Sequence, residues 1–198
     1  MKKTLIVSAL IALIGCNSSK DKKEAENSSN DNTTETTLVN KEELNQTVPY
    51  EESILLLGKV DRDGLKMDAF QEWFTPGYEE YKPNPEVMEK LKPLLKDVQI
   101  TVFMGTWCED SHRDVPNLYK ILDEANFDEK NLSVYATSEE KTTPQDFEKD
   151  KDIIQVPTII FYKDGSEINR IVEYSFYTLE QDMLDILSGK DYKHAYFE

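Results

Sequence analysis

Apolar positions in the C-terminal half of the chain follow two alternating periods. Ile100, Val102 and Phe103 form a largely β-branched run that reads as a buried strand; Gly105-Thr106 ends it, and a polar run from Glu109 to Arg113 opens a helix. That helix continues to about Glu124 with Val115, Leu118, Tyr119 and Leu122 on its apolar side, and Pro116 is expected to kink it. Leu132 to Ala136 is the next strand, followed by a polar stretch, Thr142 to Asp150, that predicts a helical turn from Pro144. Thr158 to Tyr162 and Glu167 to Glu173 read as strands joined through Lys163-Asp164-Gly165-Ser166, where Asp-Gly signals a hairpin and hence antiparallel neighbours. Thr178 caps a last helix carrying Leu179, Met183, Leu184 and Leu187, with Gly189 beyond its end. This order predicts an α/β domain with a mixed central sheet and helices on both faces.

Upstream, Ile54 to Val60 is strand-like, Asp61 to Gly64 is a turn, and Met67, Phe70 and Phe74 recur at helical spacing over Met67 to Phe74. Trp73, Tyr78 and Tyr81 follow closely, an aromatic cluster suited to core packing or to lining a groove. Glu86 to Leu95 reads as a helix burying Val87, Leu91, Leu94 and Leu95, with Pro93 disturbing its last turn. Asn17 to Thr47 has no aromatic, Gly or Pro residue and too few apolar ones to order itself. It is expected to be a disordered tether with a typical span of roughly 30 Å.

The first residues have a different pattern. Lys2 and Lys3 precede an apolar run from Thr4 to Ile14, too short to span a bilayer comfortably, and small Gly15 stands before Cys16. Leu13-Ile14-Gly15-Cys16 resembles the bacterial lipobox, which implies cleavage before Cys16, lipid on that residue, and a membrane-anchored, exported protein of the cell envelope. The expected layout is a signal peptide over 1–15 and a lipidated tether over 16–47. An N-terminal extension over 48–97 packs on a domain over 98–190, and a tail occupies 191–198.

The formal net charge of −16 argues against nucleic acid or anionic lipid headgroups as partners. Two cysteines matter more. With lipid on Cys16, Cys108 has no partner for an intramolecular disulfide, which is unusual in an exported chain and leaves a thiol that is either buried and inert or reactive. Cys108 stands at the strand-to-helix junction, where unpaired N–H groups favour the nucleophilic thiolate, while Glu109 and Asp110 oppose it. His112 lies four residues on, able to share a helix face with Cys108 or to be a solvated surface residue; Ser111 can bond the sulfur or satisfy a first-turn N–H. A metal held by Cys108 and His112 lacks further ligands, since His194 lies near the tail, and no cofactor is expected.

Several of these positions resemble the thioredoxin-fold family. Phe103 and Trp107-Cys108 are similar to the end of its first central strand and its active-site entry, with Cys108-Glu109-Asp110-Ser111 in the place of C-x-x-C and Pro116 at the helix kink. Val156-Pro157-Thr158, followed by Ile159 to Gly165, resembles the cis-proline segment and hairpin. The resemblance implies a thioredoxin-like fold and a cis bond at Pro157 beside the Cys108 sulfur. It also implies a substrate-binding surface of Trp107, Val156 and Pro157, with Val156 supplying backbone hydrogen bonds. Two departures stand out: Ser111 replaces the resolving cysteine, and Val102 replaces the buried acid six residues before Cys108. Cys108, with Ser111, His112 and Trp107 around it, is therefore expected to serve monothiol exchange with cysteine-containing exported proteins or small thiols. The alternative is a redox-inactive module that binds extended peptide. A monomer is expected.

Overall fold

The computed structural model describes residues 44–197. Cys16, the signal peptide and most of the tether lie outside these residues. A short antiparallel pair, β1 (Thr47–Tyr50) and β2 (Ser53–Leu56), precedes β3 (Gly58–Val60) and a single helical turn, α1 (Arg62–Leu65). Asp61 caps that turn by accepting from the N–H groups of Asp63 and Gly64, so the expected turn is helical. Helices α2 (Gln71–Glu80) and α3 (Pro85–Leu91) follow, and a 3₁₀ helix over Lys92–Asp97 leads into β4 (Val98–Met104). Then come α4 (Glu109–Ala125), β5 (Leu132–Ala136), the β6–β7 hairpin (Thr158–Lys163 and Ser166–Val172) and α5 (Leu179–Leu187).

Five strands form the main sheet in the order β3-β5-β4-β6-β7. β4 and β5 run parallel and the other pairs antiparallel, giving the mixed sheet of a thioredoxin-like α/β fold. β4 is central, and Val102, Phe103 and Met104 are fully buried, as expected of a strand covered on both faces. Its residues divide by side: Val98, Ile100, Val102 and Met104 join the large core, whereas Phe103 joins a smaller cluster with Val156 and Ile160.

The 48–97 segment is more than a layer packed on the domain. β3 pairs with β5 and supplies the sheet's edge strand, while Phe74, Met88 and Leu91 are part of the one large core. The helix expected over Met67 to Phe74 begins at Gln71 and runs on through Pro76 to Glu80. Met67 is 36% exposed while Phe70 and Phe74 are buried, so the apolar stripe starts at Phe70. α2 lies close against α4 at Gly77, where a Cβ would stand 2.8 Å from Pro116 Cγ. α3 ends at Leu91, before Pro93, and its buried positions include Met88, whereas Val87 and Leu94 are only partly covered.

Helical cover of the sheet is uneven. Phe74 of α2, Met88 and Leu91 of α3, Leu118 and Leu122 of α4, and Leu179 and Met183 of α5 belong to the large core, and the smaller cluster is covered instead by residues from the 137–157 segment, Phe147, Ile153 and Val156 among them. The helical turn expected from Pro144 is a succession of turns. Asp146, Asp150 and Asp152 take φ of 57°, 61° and 50°, left-handed conformations that Asp tolerates and that interrupt a right-handed helix.

Candidate active site

Cys108 is the residue preceding α4, with φ −102° and ψ 121°, and its side chain does not cap the helix. The sulfur is half-buried, packed on the Phe103, Val156 and Ile160 cluster. Its thiol donates to the Val156 carbonyl at 3.2 Å. The Val156–Pro157 peptide bond is cis, as the resemblance implies. Neighbouring bonds hold that segment in place: Thr158 Oγ1 donates to the Gln155 carbonyl at 2.7 Å, and Glu173 N–H donates to the Pro157 carbonyl at 2.8 Å. The Val156 N–H has no acceptor among the described residues.

Trp107 borders the sulfur and is partly covered, with its indole N–H donating to the Thr137 carbonyl at 2.9 Å. Gly105 is needed beneath it, because a Cβ there would lie 2.5 Å from the indole ring. Lys141 Nζ stands 5.9 Å from the Trp107 ring centroid.

Ser111 and His112 are close in sequence to Cys108 but are engaged elsewhere. Ser111 is fully buried, and its hydroxyl accepts from the Gly105 N–H at 3.1 Å, neither a bond to the sulfur nor one to a first-turn N–H. The His112 ring is neither a partner of the thiol nor freely solvated. Its Nε2 is 2.8 Å from the Thr106 carbonyl, and its face stacks on Trp73 at 4.3 Å between centroids with 13° between the planes. A carbonyl only accepts, so Nε2 carries the proton.

Next on α4, Arg113 grips both carboxylate oxygens of Asp114, at 2.8 and 2.9 Å, and also bonds Asp110 at 2.5 Å. Asp114 is 4% exposed; burial pushes its pKa up, and the guanidinium offsets part of that rise. No group of three or more His, Cys, Asp or Glu side chains among the described residues could hold a metal ion.

Two contributors to the site were not singled out in the sequence. Thr106 supplies its carbonyl to His112 and its hydroxyl to the Leu56 N–H at 3.1 Å; a hydroxyl beside Trp107-Cys108 was the available signal. Trp73 was legible only as one of a run of aromatics, since nothing local links it to His112.

A family model described as Thioredoxin matches residues 65–180. The chain is similar to a crystal structure of a protein of unknown function from Pseudomonas aeruginosa, at 16% identity over 60% of this chain and 74% of that one, with a TM-score of 0.43. An HIV epitope scaffold matches at 16% identity, with the same coverage and a TM-score of 0.42. The oxidised mitochondrial thioredoxin 3 of Saccharomyces cerevisiae matches at 20% identity over 48% of this chain and 86% of that one, with a TM-score of 0.30. No curated protein matches the chain. With more than half of its residues within the matched span, the chain belongs to the thioredoxin family.

Proposed function

We propose that this protein is a membrane-tethered monothiol oxidoreductase that exchanges disulfides in exported client proteins through Cys108. The observation that carries the reading is the half-buried Cys108 sulfur beside the cis Val156–Pro157 segment, 3.2 Å from the Val156 carbonyl. The Cys108 thiolate attacks one sulfur of a client disulfide. A Cys108–client disulfide forms, the client S–S bond breaks, and the second client sulfur leaves as a thiolate. Ser111 cannot expel the client, so the mixed disulfide is resolved either by a different client cysteine, whose attack forms a new client disulfide and releases Cys108 as a thiolate, or by external thiols, which leave the client reduced. The unpaired Val156 N–H offers an extended client backbone a donor beside the reacting sulfur.

Cys108→Ala tests the reading directly. Wild-type protein should trap clients as reductant-sensitive complexes and speed the refolding of a scrambled disulfide protein, and the variant should do neither. A wild type that traps no client would count decisively against exchange.

A redox-inactive peptide-binding module is the second reading, and the commitment of Ser111 to the Gly105 N–H favours it. Under that reading Cys108→Ser binds clients as tightly as wild type and sustains the biological role.

Envelope anchoring is part of the proposal and rests on Leu13-Ile14-Gly15-Cys16 after a charged and apolar start. Mature protein should partition into detergent, and Cys16→Ser should move it to the aqueous phase.

A further inference from the structure

We infer that Trp73, on α2, is a positioning residue for the Cys108 thiol, acting through His112 and Thr106. The inference rests on the reading of Cys108 as the reacting group.

The turn Thr106-Trp107-Cys108 is held by neighbouring residues, with His112 N–H donating to the Cys108 carbonyl at 3.0 Å, and by groups from distant parts of the fold. Leu56 N–H donates to Thr106 Oγ1 at 3.1 Å, and His112 Nε2–H donates to the Thr106 carbonyl at 2.8 Å. Trp107 Nε1–H donates to the Thr137 carbonyl at 2.9 Å. Within the turn, Cys108 N–H donates to the Gly105 carbonyl at 3.1 Å. Thr106, held at both its hydroxyl and its carbonyl, is only 7% exposed.

Of these anchors, the His112 ring is the side chain that comes from α4 rather than from the turn itself. A ring can swing about its side-chain torsions, and what restrains this one is the flat face of Trp73, 4.3 Å away and 13° from parallel. Trp73 is not itself a main core residue. Its neighbour Phe74 is 1% exposed and fills the core, whereas Trp73 is partly covered and turns its ring to His112. Loss of the indole face frees the imidazole, the Nε2–H bond to Thr106 becomes one of several arrangements, and the turn that carries the sulfur to Val156 is loosened. A catalytic constellation is sensitive to displacements of this size, because exchange needs the sulfur aligned with the client disulfide.

The test uses the full chain with Trp73→Ala, Trp73→Phe and a control, Leu95→Ala, which opens the same core at the 3₁₀ helix before β4. Two readouts are taken under conditions where every variant is folded: the rate of Cys108 alkylation by iodoacetamide at pH 7, and the ring nitrogen NMR signals of His112. Trp73→Ala is expected to free the half-buried sulfur and speed alkylation about threefold or more. It should also replace the single Nε2–H pattern of His112 with averaged signals. Trp73→Phe, which keeps an aromatic face, should restore both, and Leu95→Ala should move neither. If the alanine variant does not fold, Trp73→Met fills the space without a ring face and gives the same readouts. Wild-type alkylation and wild-type His112 signals in Trp73→Ala overturn the inference, as does a control that shifts both as far. Iodoacetamide reports on the thiol without any client, so this outcome is separable from failure of the exchange reading.

Discussion

The Cys108 sulfur and the Val156 carbonyl oxygen lie 3.2 Å apart across a sequence separation of 48 residues. That contact brings the start of α4 to the segment before β6, while Ser111, one helical turn beyond Cys108, faces the Gly105 N–H instead. Ser111→Cys restores the C-x-x-C spacing and, by turning away from Gly105, should bring a second thiol to attack the Cys108 sulfur of a mixed disulfide. That attack forms a disulfide between the introduced thiol and Cys108 and expels the client as a thiolate. Non-reducing gels should show trapped complexes falling well below the wild-type level, and undiminished trapping would refute the prediction. Replacing the hydroxyl acceptor should lower stability by about 1 kcal/mol.

Two aspartates on α4 should respond to pH with opposite sign. Burial raises the pKa of Asp114. Its stabilising contribution is present below the unfolded-state value, about 3.9, and is lost as pH rises through the folded value. Asp123 is held low by its hydrogen bonds from Arg62, at 2.6 and 2.7 Å, with a further bond from Tyr78. Its contribution is present above the unfolded-state value and is lost as pH falls through the folded one. Urea midpoints between pH 3 and 7 should show Asp114→Asn reducing the loss of stability on the rising side. Asp123→Asn should reduce it on the falling side, and responses of one sign would contradict the assignment.

A chain cut to begin at Val98 should not fold cooperatively. It lacks the β3 edge strand and the Phe74, Met88 and Leu91 side chains, each of which is almost completely buried in the shared core. Truncating even one such side chain typically costs about 2–5 kcal/mol, a large share of a domain's stability. Dispersed amide NMR signals from the shortened chain would disprove this.

Gly165→Ala isolates a backbone effect. Asp164 and Gly165 take φ of 51° and 78°, the pair of positive values that a two-residue hairpin turn requires, and a Cβ at Gly165 would meet nothing within 4 Å. The substitution should cost roughly 1 kcal/mol, read as a lowered urea midpoint, with no change in Cys108 alkylation.

What was legible in the sequence was local. The Asp164-Gly165 hairpin, the Thr178 cap and the strand-to-helix junction at Cys108 each depend on a few adjacent residues, and the structure contains all three. The neighbourhood of Pro157 was legible through a family pattern. What escaped was long-range. β3 is only three residues long, and its place in the sheet is set by pairing with β5 far along the chain. Likewise, nothing near His112 in sequence indicates that its ring rests on Trp73, so the sequence offered only a partner of the thiol or a solvated surface residue. The turns after Pro144 follow from aspartates in left-handed conformations, which periodicity does not register.

Cover of one sheet face by turns also sets how the molecule breathes. Backbone hydrogen bonds in the 138–152 stretch close mostly within that stretch, from Ser138 to Thr142, Asp146 to Thr143, Lys149 to Asp146 and Lys151 to Glu148. Such a segment opens locally at a free energy well below that of global unfolding, so its amides should exchange with solvent deuterium long before those of β4. Each opening lifts Phe147 away from the Phe103 cluster on which Cys108 rests. Local opening of this segment therefore thins the apolar packing beneath Cys108 while the large core on the other face of the sheet stays closed.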